Sequence, residues 1–197
     1  MGKAISPSPA AAGLGLHNFS SFAFSACPVN FLPLDVPECL PAFTDREFRD
    51  ALGQFATGVT VVTACDAQGR PAGMTVSSFN SVSLTPPLVL WSLARSAGNF
   101  AAYAQCRHYA IHVLAVDQKQ LALQFSQRGI DRFAGVHWAP NAHGVPLLSG
   151  ALAVFECQAR SRYDEGDHVI MVGEVQACRH SMQAAPLLYH RGAMRGE

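Results

Sequence analysis

Ala151-Leu152-Ala153-Val154-Phe155-Glu156-Cys157-Gln158-Ala159-Arg160-Ser161-Arg162-Tyr163 carries the clearest β signal in the chain. Glu156, Gln158, Arg160 and Arg162 alternate with Phe155, Cys157, Ala159 and Ser161, the period-2 signature of a strand with one wet and one buried face. Asp164-Glu165-Gly166-Asp167 supplies turn chemistry, and His168 to Ala177 returns as the antiparallel partner. A long hairpin is therefore the expected centre of the fold.

Working outward, Val59-Thr60-Val61-Val62-Thr63 is β-branched or polar throughout, the turn Asp66-Ala67-Gln68-Gly69 follows it, and Ala72 to Ser77 forms the next run. Pro86-Pro87 opens the apolar run Leu88 to Leu93, and His108 to Val116 reads as a further strand. Helices are short. Thr44-Asp45-Arg46-Glu47 has capping-box spacing, with Phe48, Ala51, Leu52 and Phe55 forming one apolar face and Gly58 expected to close the helix. Asn99 to Gln105 is a second candidate, and Asp117 is expected to cap a third that carries Leu121 and Phe125. Gly129 to Gly144 reads as loop. Five or six strands, two or three short helices and no β-α-β rhythm predict a mainly β (α+β) fold: an antiparallel Greek-key barrel flanked by short helices.

The 197 residues leave room for one core, with 14 basic and 14 acidic side chains giving no formal net charge. That balance gives no electrostatic reason to expect nucleic acid or an anionic membrane as partner. The six cysteines are scattered singly, without metal-ligand spacing, so buried free thiols and a reducing, cytoplasmic setting are expected, with no metal. No run reaches the ~20 apolar residues of a membrane span. Residues 1–42 are rich in Ala, Ser, Pro and Gly and read as a low-complexity, disordered extension; Pro7, Pro9, His17, Asn18 and Ser20 break any signal-peptide core. Residues 43–197 form the expected domain.

The unusual segment for chemistry is Met74 to Pro87, in which Ser, Thr and Asn crowd between two apolar runs. Hydroxyls and free amides at a strand end suit the oxygens of a nucleotide-like ligand, and equally suit a turn that satisfies its own backbone. His108 and His112 have a helical ligand spacing but lie in a strand, so a structural pair is the expectation. Gly13-Leu14-Gly15 lacks the rest of a dinucleotide fingerprint, and Trp91 and Trp138 read as packing residues.

Several separated motifs, spanning about the last 155 residues, resemble one family. Phe48 to Thr63, Met74 to Ser83 with Pro86-Pro87-Leu88, Ser96 to Phe100, Asp131-Arg132-Phe133, His168 to Val175 and Leu187 to Gly192 are similar, in order, to the flavin reductase-like family. The resemblance implies a homodimeric split barrel that reduces FMN or FAD with NADH or NADPH and supplies a separate monooxygenase. It places Thr57, Gly58, Val59 and Thr60, together with Met74, Thr75, Val76, Ser77, Ser78 and Ser81, around the isoalloxazine, ribityl chain and phosphate. Ser96, Asn99 and Phe100 fall near the phosphate or adenylate end, and His168 on the nicotinamide side as the catalytic candidate. Met194 stands where the family usually has an aromatic residue. Rival readings are a barrel that retains its flavin and acts on its own substrate, and a flavin- or haem-binding module without turnover.

Overall fold

The computed structural model describes residues 42–182 and 184–196; the extension expected over residues 1–42, with Cys27 and Cys39, lies outside them except for Ala42. In chain order the elements are α1 (Asp45–Leu52), β1 (Thr57–Gly58), β2 (Thr60–Cys65), β3 (Pro71–Val76), β4 (Asn80–Leu84), β5 (Pro87–Ala94), α2 (Phe100–Gln105), β6 (His108–Val113), α3 (Lys119–Ser126), β7 (Trp138–Pro140), β8 (Pro146–Leu148), β9 (Ala153–Glu165), β10 (His168–His180), β11 (Leu188–His190) and β12 (Ala193–Arg195).

The hairpin read from the sequence is β9 and β10, paired from His168↔Glu165 to His180↔Ala153. It sits at the middle of a seven-stranded sheet with the order β3-β2-β6-β9-β10-β5-β4, every neighbouring pair antiparallel. Its two edge strands, β3 and β4, follow one another in the chain, joined only by Ser77-Ser78-Phe79. Flat, the sheet would hold its edges about 29 Å apart at ~4.8 Å per strand, whereas that link spans at most about 14 Å. The sheet must therefore curl until β3 and β4 meet without pairing. The result is a split barrel whose seam is the Ser-rich segment.

Val62, Ala64, Trp91, Leu93, Tyr103, Tyr109, Ile111 and Met171 fill the barrel interior. The outer face of β2 is covered too, by Leu114, Ala122, Phe125, Leu148 and Leu187, so Thr60 to Ala64 are buried without alternation. Thr63 donates to the Pro146 carbonyl at 2.6 Å, strapping β8 onto the sheet. His112 is fully buried between two strands: its Nδ1 donates to the Val61 carbonyl and its Nε2 accepts from the Leu148 amide, each at 3.0 Å. It is a satisfied structural histidine. Its former companion His108 instead stacks in parallel on His143 at 3.8 Å.

Four local expectations are corrected. The helix opened by the Thr44–Glu47 capping box ends at Leu52, not at Gly58, because i→i+3 bonds from Gln54 and Phe55 tighten it and Thr57 pairs with Tyr189. Asp117 lies inside a short 3-10 turn, Val116–Gln118, and Gln118 flanks α3. The polar stretch after Phe79 forms edge strand β4, held by β5. Within Gly129 to Gly144, Trp138–Pro140 pairs with β8. Period-2 patterning missed both because strands at an edge need not bury a face.

Cys106 and Cys157 are buried free thiols, and burial pushes them up to about 11 and about 12. They act as small hydrophobes. Trp91 is enclosed in the barrel, and Trp138 packs edge-on against Phe133. No helix among the described residues is long and apolar enough to cross a membrane.

Candidate active site

The seam brings the two expected ligand segments together. Antiparallel pairing sets Thr60 opposite Val76, Val61 opposite Thr75 and Val62 opposite Met74. The chain ends that extend from these pairs, Thr57 on one side and Ser77-Ser78 on the other, line one cavity of about 790 Å3. The rest of the lining comes from the end of α1 and the β11–β12 hairpin, with Leu52, Phe55, Arg191 and Tyr189, the strand partner of Thr57. Apolar side chains thus share one cavity with a hydroxyl-rich strand end, a lining able to hold a planar heterocycle and orient it through a few polar groups.

The hydroxyls are not equivalent. Thr57 Oγ1 is buried and has no partner among the described residues, so it has donor and acceptor capacity to offer a ligand. Thr60 donates to the Val76 carbonyl at 3.0 Å and Thr75 to the Ala122 carbonyl at 2.7 Å, so both are committed to the scaffold. Ser78 Oγ accepts from the Ser92 amide at 2.9 Å, tying the seam to β5. Ser77 is exposed and lines the cavity, Gly58 is exposed beside Thr57, and Ser81 lies outside the cavity on β4. Val59 and Val76 are core residues, and Met74 and Phe100 pack against the barrel core.

Ser96 and Asn99 line a second cleft of about 710 Å3, with Arg70, Arg128, Arg132 and Gly73. The Gly73 carbonyl accepts from Asn99 Nδ2 at 3.1 Å and from Arg132 Nη1 at 2.7 Å. A carbonyl can only accept, so the amide of Asn99 is oriented, leaving its buried Oδ1 without a partner. Arg70 is paired with Asp66 at 2.7 Å. The site residues therefore divide between two clefts on either end of β3.

His168 lines neither cleft. It opens β10 opposite Ala94, half-buried, with Nδ1 2.7 Å from Asp167 Oδ1. The hydrogen bond and charge of the imidazole hold the Asp167 carboxyl below its usual value. With Nδ1 donating to that carboxylate, Nε2 is the ring nitrogen left for a ligand.

Sequence reading missed Arg191, Tyr189 and Gln54 as cavity residues. Arg191 Nε donates to Gln54 Oε1 at 2.9 Å across 137 positions of sequence. No local pattern carries that contact; the available signal was that both residues fall within family-like motifs, Phe48 to Thr63 and Leu187 to Gly192. Met194, the departure from the family pattern, packs against the outer core beside Tyr189.

Residues 52–197 match the flavin reductase like domain family. The chain is 50% identical over 148 residues to the FMN reductase (NADH) SmoA of Agrobacterium fabrum, covering 75% of this chain and 83% of that protein. It is 45% identical over 148 residues to the reductase component of a flavin-dependent trigonelline monooxygenase of Acinetobacter baylyi, covering 75% of this chain and about half, 47%, of that protein. Among solved structures, the NADH:FAD oxidoreductase SgcE6 of Streptomyces globisporus, in complex with NAD and FAD fragments, superposes with a TM-score of 0.73 at 37% identity, covering 78% of this chain and 93% of that one. BorF, the flavin reductase component of a bacterial two-component tryptophan halogenase, gives 0.72 at 39% identity, covering 78% and 98%. Split-barrel topology and this likeness agree: the chain belongs to the flavin reductase-like domain family.

Proposed function

We propose that this protein reduces FMN with NADH and supplies the reduced flavin to a separate monooxygenase. The observation that carries the reading is the seam cavity, whose lining combines Ser77 and Thr57, with its buried hydroxyl unpartnered among the described residues, with the apolar side chains of Leu52, Phe55 and Tyr189. The names of SmoA and of the trigonelline enzyme's reductase component support the substrate and the role. The flavin, when bound, supplies the hydride-accepting ring. The chain binds and orients: Thr57 and Ser77 hold the ring's polar edge, Ser78 fixes the seam through Ser92, and Ser96 and Asn99 serve the phosphate-bearing end. Asn99 Oδ1, an acceptor, fits a sugar hydroxyl rather than a phosphate oxygen. His168 stands as the nicotinamide-side residue, its Nε2 left for the carboxamide.

A homodimer is part of the same reading. Among the described residues, Phe48 and Leu52 of α1 and Phe55 just beyond its end are large apolar side chains left 51%, 57% and 74% exposed. A second copy is the occupant that the resemblance implies, and light scattering on the purified protein tests it. Residues 43–197 are read as the functional domain, and removal of residues 1–42 is expected to leave activity in place. The experiment that tests the function is steady-state oxidation of NADH and NADPH with added FMN, FAD and riboflavin. Absence of flavin-dependent NADH oxidation would overturn it.

A further inference from the structure

Arg191 is the one non-glycine residue with positive φ among the described residues, at 50°, and Gly192 follows at 76°. Together they make the two-residue turn of the β11–β12 hairpin. That turn type favours Asn, Asp or Gly, whose small side chains tolerate the left-handed region. An arginine there is a local cost that hairpin geometry does not explain.

Its contacts do explain its position. The Arg191 amide donates to the Gly53 carbonyl and Nε to Gln54 Oε1, both at 2.9 Å, so the residue is fixed to the end of α1. The two terminal nitrogens have no partner among the described residues, and Arg191 lines the seam cavity. Asp50 and Arg49 also line the cavity, each in a solvent-exposed contact within α1, Asp50 with Arg46 at 3.9 Å and Arg49 with Asp45 at 3.7 Å. Arg191 is the cavity cation with no carboxylate within 4 Å among the described residues, and it shares the lining with Thr57, the strand partner of Tyr189, and Ser77.

We propose that Arg191 recognises a phosphate of the nicotinamide dinucleotide, and so sets the affinity of this cavity for the hydride donor. The proposal rests on the reductase reading above. An oxidised isoalloxazine ring is uncharged and is served by neutral donors, whereas the dinucleotide brings a pyrophosphate, for which a guanidinium with free, forked N–H groups is the fitting partner. FMN carries a phosphate as well, and riboflavin, which has none, separates the two sources.

The experiment compares wild type with Arg191→Asn, which keeps the left-handed turn and removes the cation, and Arg191→Lys, which keeps the cation. With riboflavin or FMN as acceptor, Arg191→Asn should raise KM for NADH about tenfold, the loss of one charge-assisted contact. The same variant should move KM for NADH much further than kcat or the FMN dissociation constant, and Arg191→Lys should recover most of the loss. Calorimetric binding of NAD+ to the flavin-free protein should weaken in parallel. An unchanged KM and NAD+ affinity in Arg191→Asn would overturn the proposal. So would a defect seen with FMN and absent with riboflavin, which would give Arg191 to the flavin phosphate. Failure of the wild type to oxidise NADH with any flavin would count against the reductase reading itself, while the NAD+ titration would still decide on Arg191.

Discussion

The hydroxyl of Tyr109 occupies the space that a side chain on Gly173 would need: a β-carbon there would overlap Tyr109 Oη and stand 3.1 Å from Cys157 Cβ. Tyr109 lies in the barrel interior, edge-on to Trp91 at a centroid distance of 5.9 Å. The phenol oxygen and the Trp91 indole nitrogen are buried near one another without closing a hydrogen bond. Gly173→Ala should therefore lose about 1–3 kcal/mol through overpacking. Tyr109→Phe removes a hydroxyl that has no partner and should be tolerated within about 1 kcal/mol, because no hydrogen bond is lost. The double variant should regain only part of the loss in urea unfolding, because Tyr109 Cζ would still lie 2.7 Å from the new β-carbon. Additive destabilisation in the double variant would contradict the close approach.

Gly73 offers a parallel case on the outer face. A β-carbon there would overlap Phe125 and come within 3.2 Å of Phe133, and the Gly73 carbonyl holds both Asn99 and Arg132. Gly73→Ala should lower the thermal midpoint and weaken flavin binding together. A fall in stability with flavin affinity intact, read by fluorescence quenching, would separate the second cleft from the ligand.

Thr57 and Ser78 should give opposite phenotypes. Thr57→Val deletes a hydroxyl with no internal partner, so stability should hold while flavin affinity falls about tenfold, the effect of roughly one neutral hydrogen bond. Ser78→Ala leaves the Ser92 amide unpaired and should cost about 1–3 kcal/mol of stability. Thermal melts beside flavin titrations decide; a flavin affinity unmoved in Thr57→Val would remove Thr57 from the site.

His168→Ala should raise KM for NADH and lower turnover while sparing the flavin dissociation constant. Asp167→Asn, which weakens the fixing of Nδ1, should reproduce part of that effect. Loss of flavin binding with unchanged NADH kinetics at saturating flavin would reverse the assignment of His168.

Acid sensitivity should come in part from His112. Burial lowers its pKa to about 4 from an ordinary 6.5, so the unfolded chain binds the proton more readily than the folded one. The stability it contributes is present above pH 6.5 and is lost as pH falls towards 4. Between pH 7 and pH 5 the loss should be about 2 kcal/mol, approaching about 3 kcal/mol at lower pH. Urea midpoints across this range measure it; a flat profile would mean that His112 is not neutral and enclosed.

The sequence by itself determined the β9–β10 hairpin, the β2–β3 pair and the capping box of α1, because period-2 alternation, β-branching and Thr44 with Glu47 are local signals written within a few residues. It also marked Thr57 and Ser77-Ser78 as residues to watch, through motif resemblance and an excess of hydroxyls between apolar runs. Tertiary structure alone decided which hydroxyls are available. Thr60, Thr75 and Ser78 are committed to carbonyls and an amide 16, 47 and 14 positions away, and Thr57 is not. It likewise decided where α1 stops and that Arg191 joins the cavity, since both follow from pairing the segment around Thr57 with a strand near the C-terminus. A sequence displays the propensity of each segment, but hydrogen-bond partners and cavity walls are set by which distant segments the closure of the barrel brings into contact.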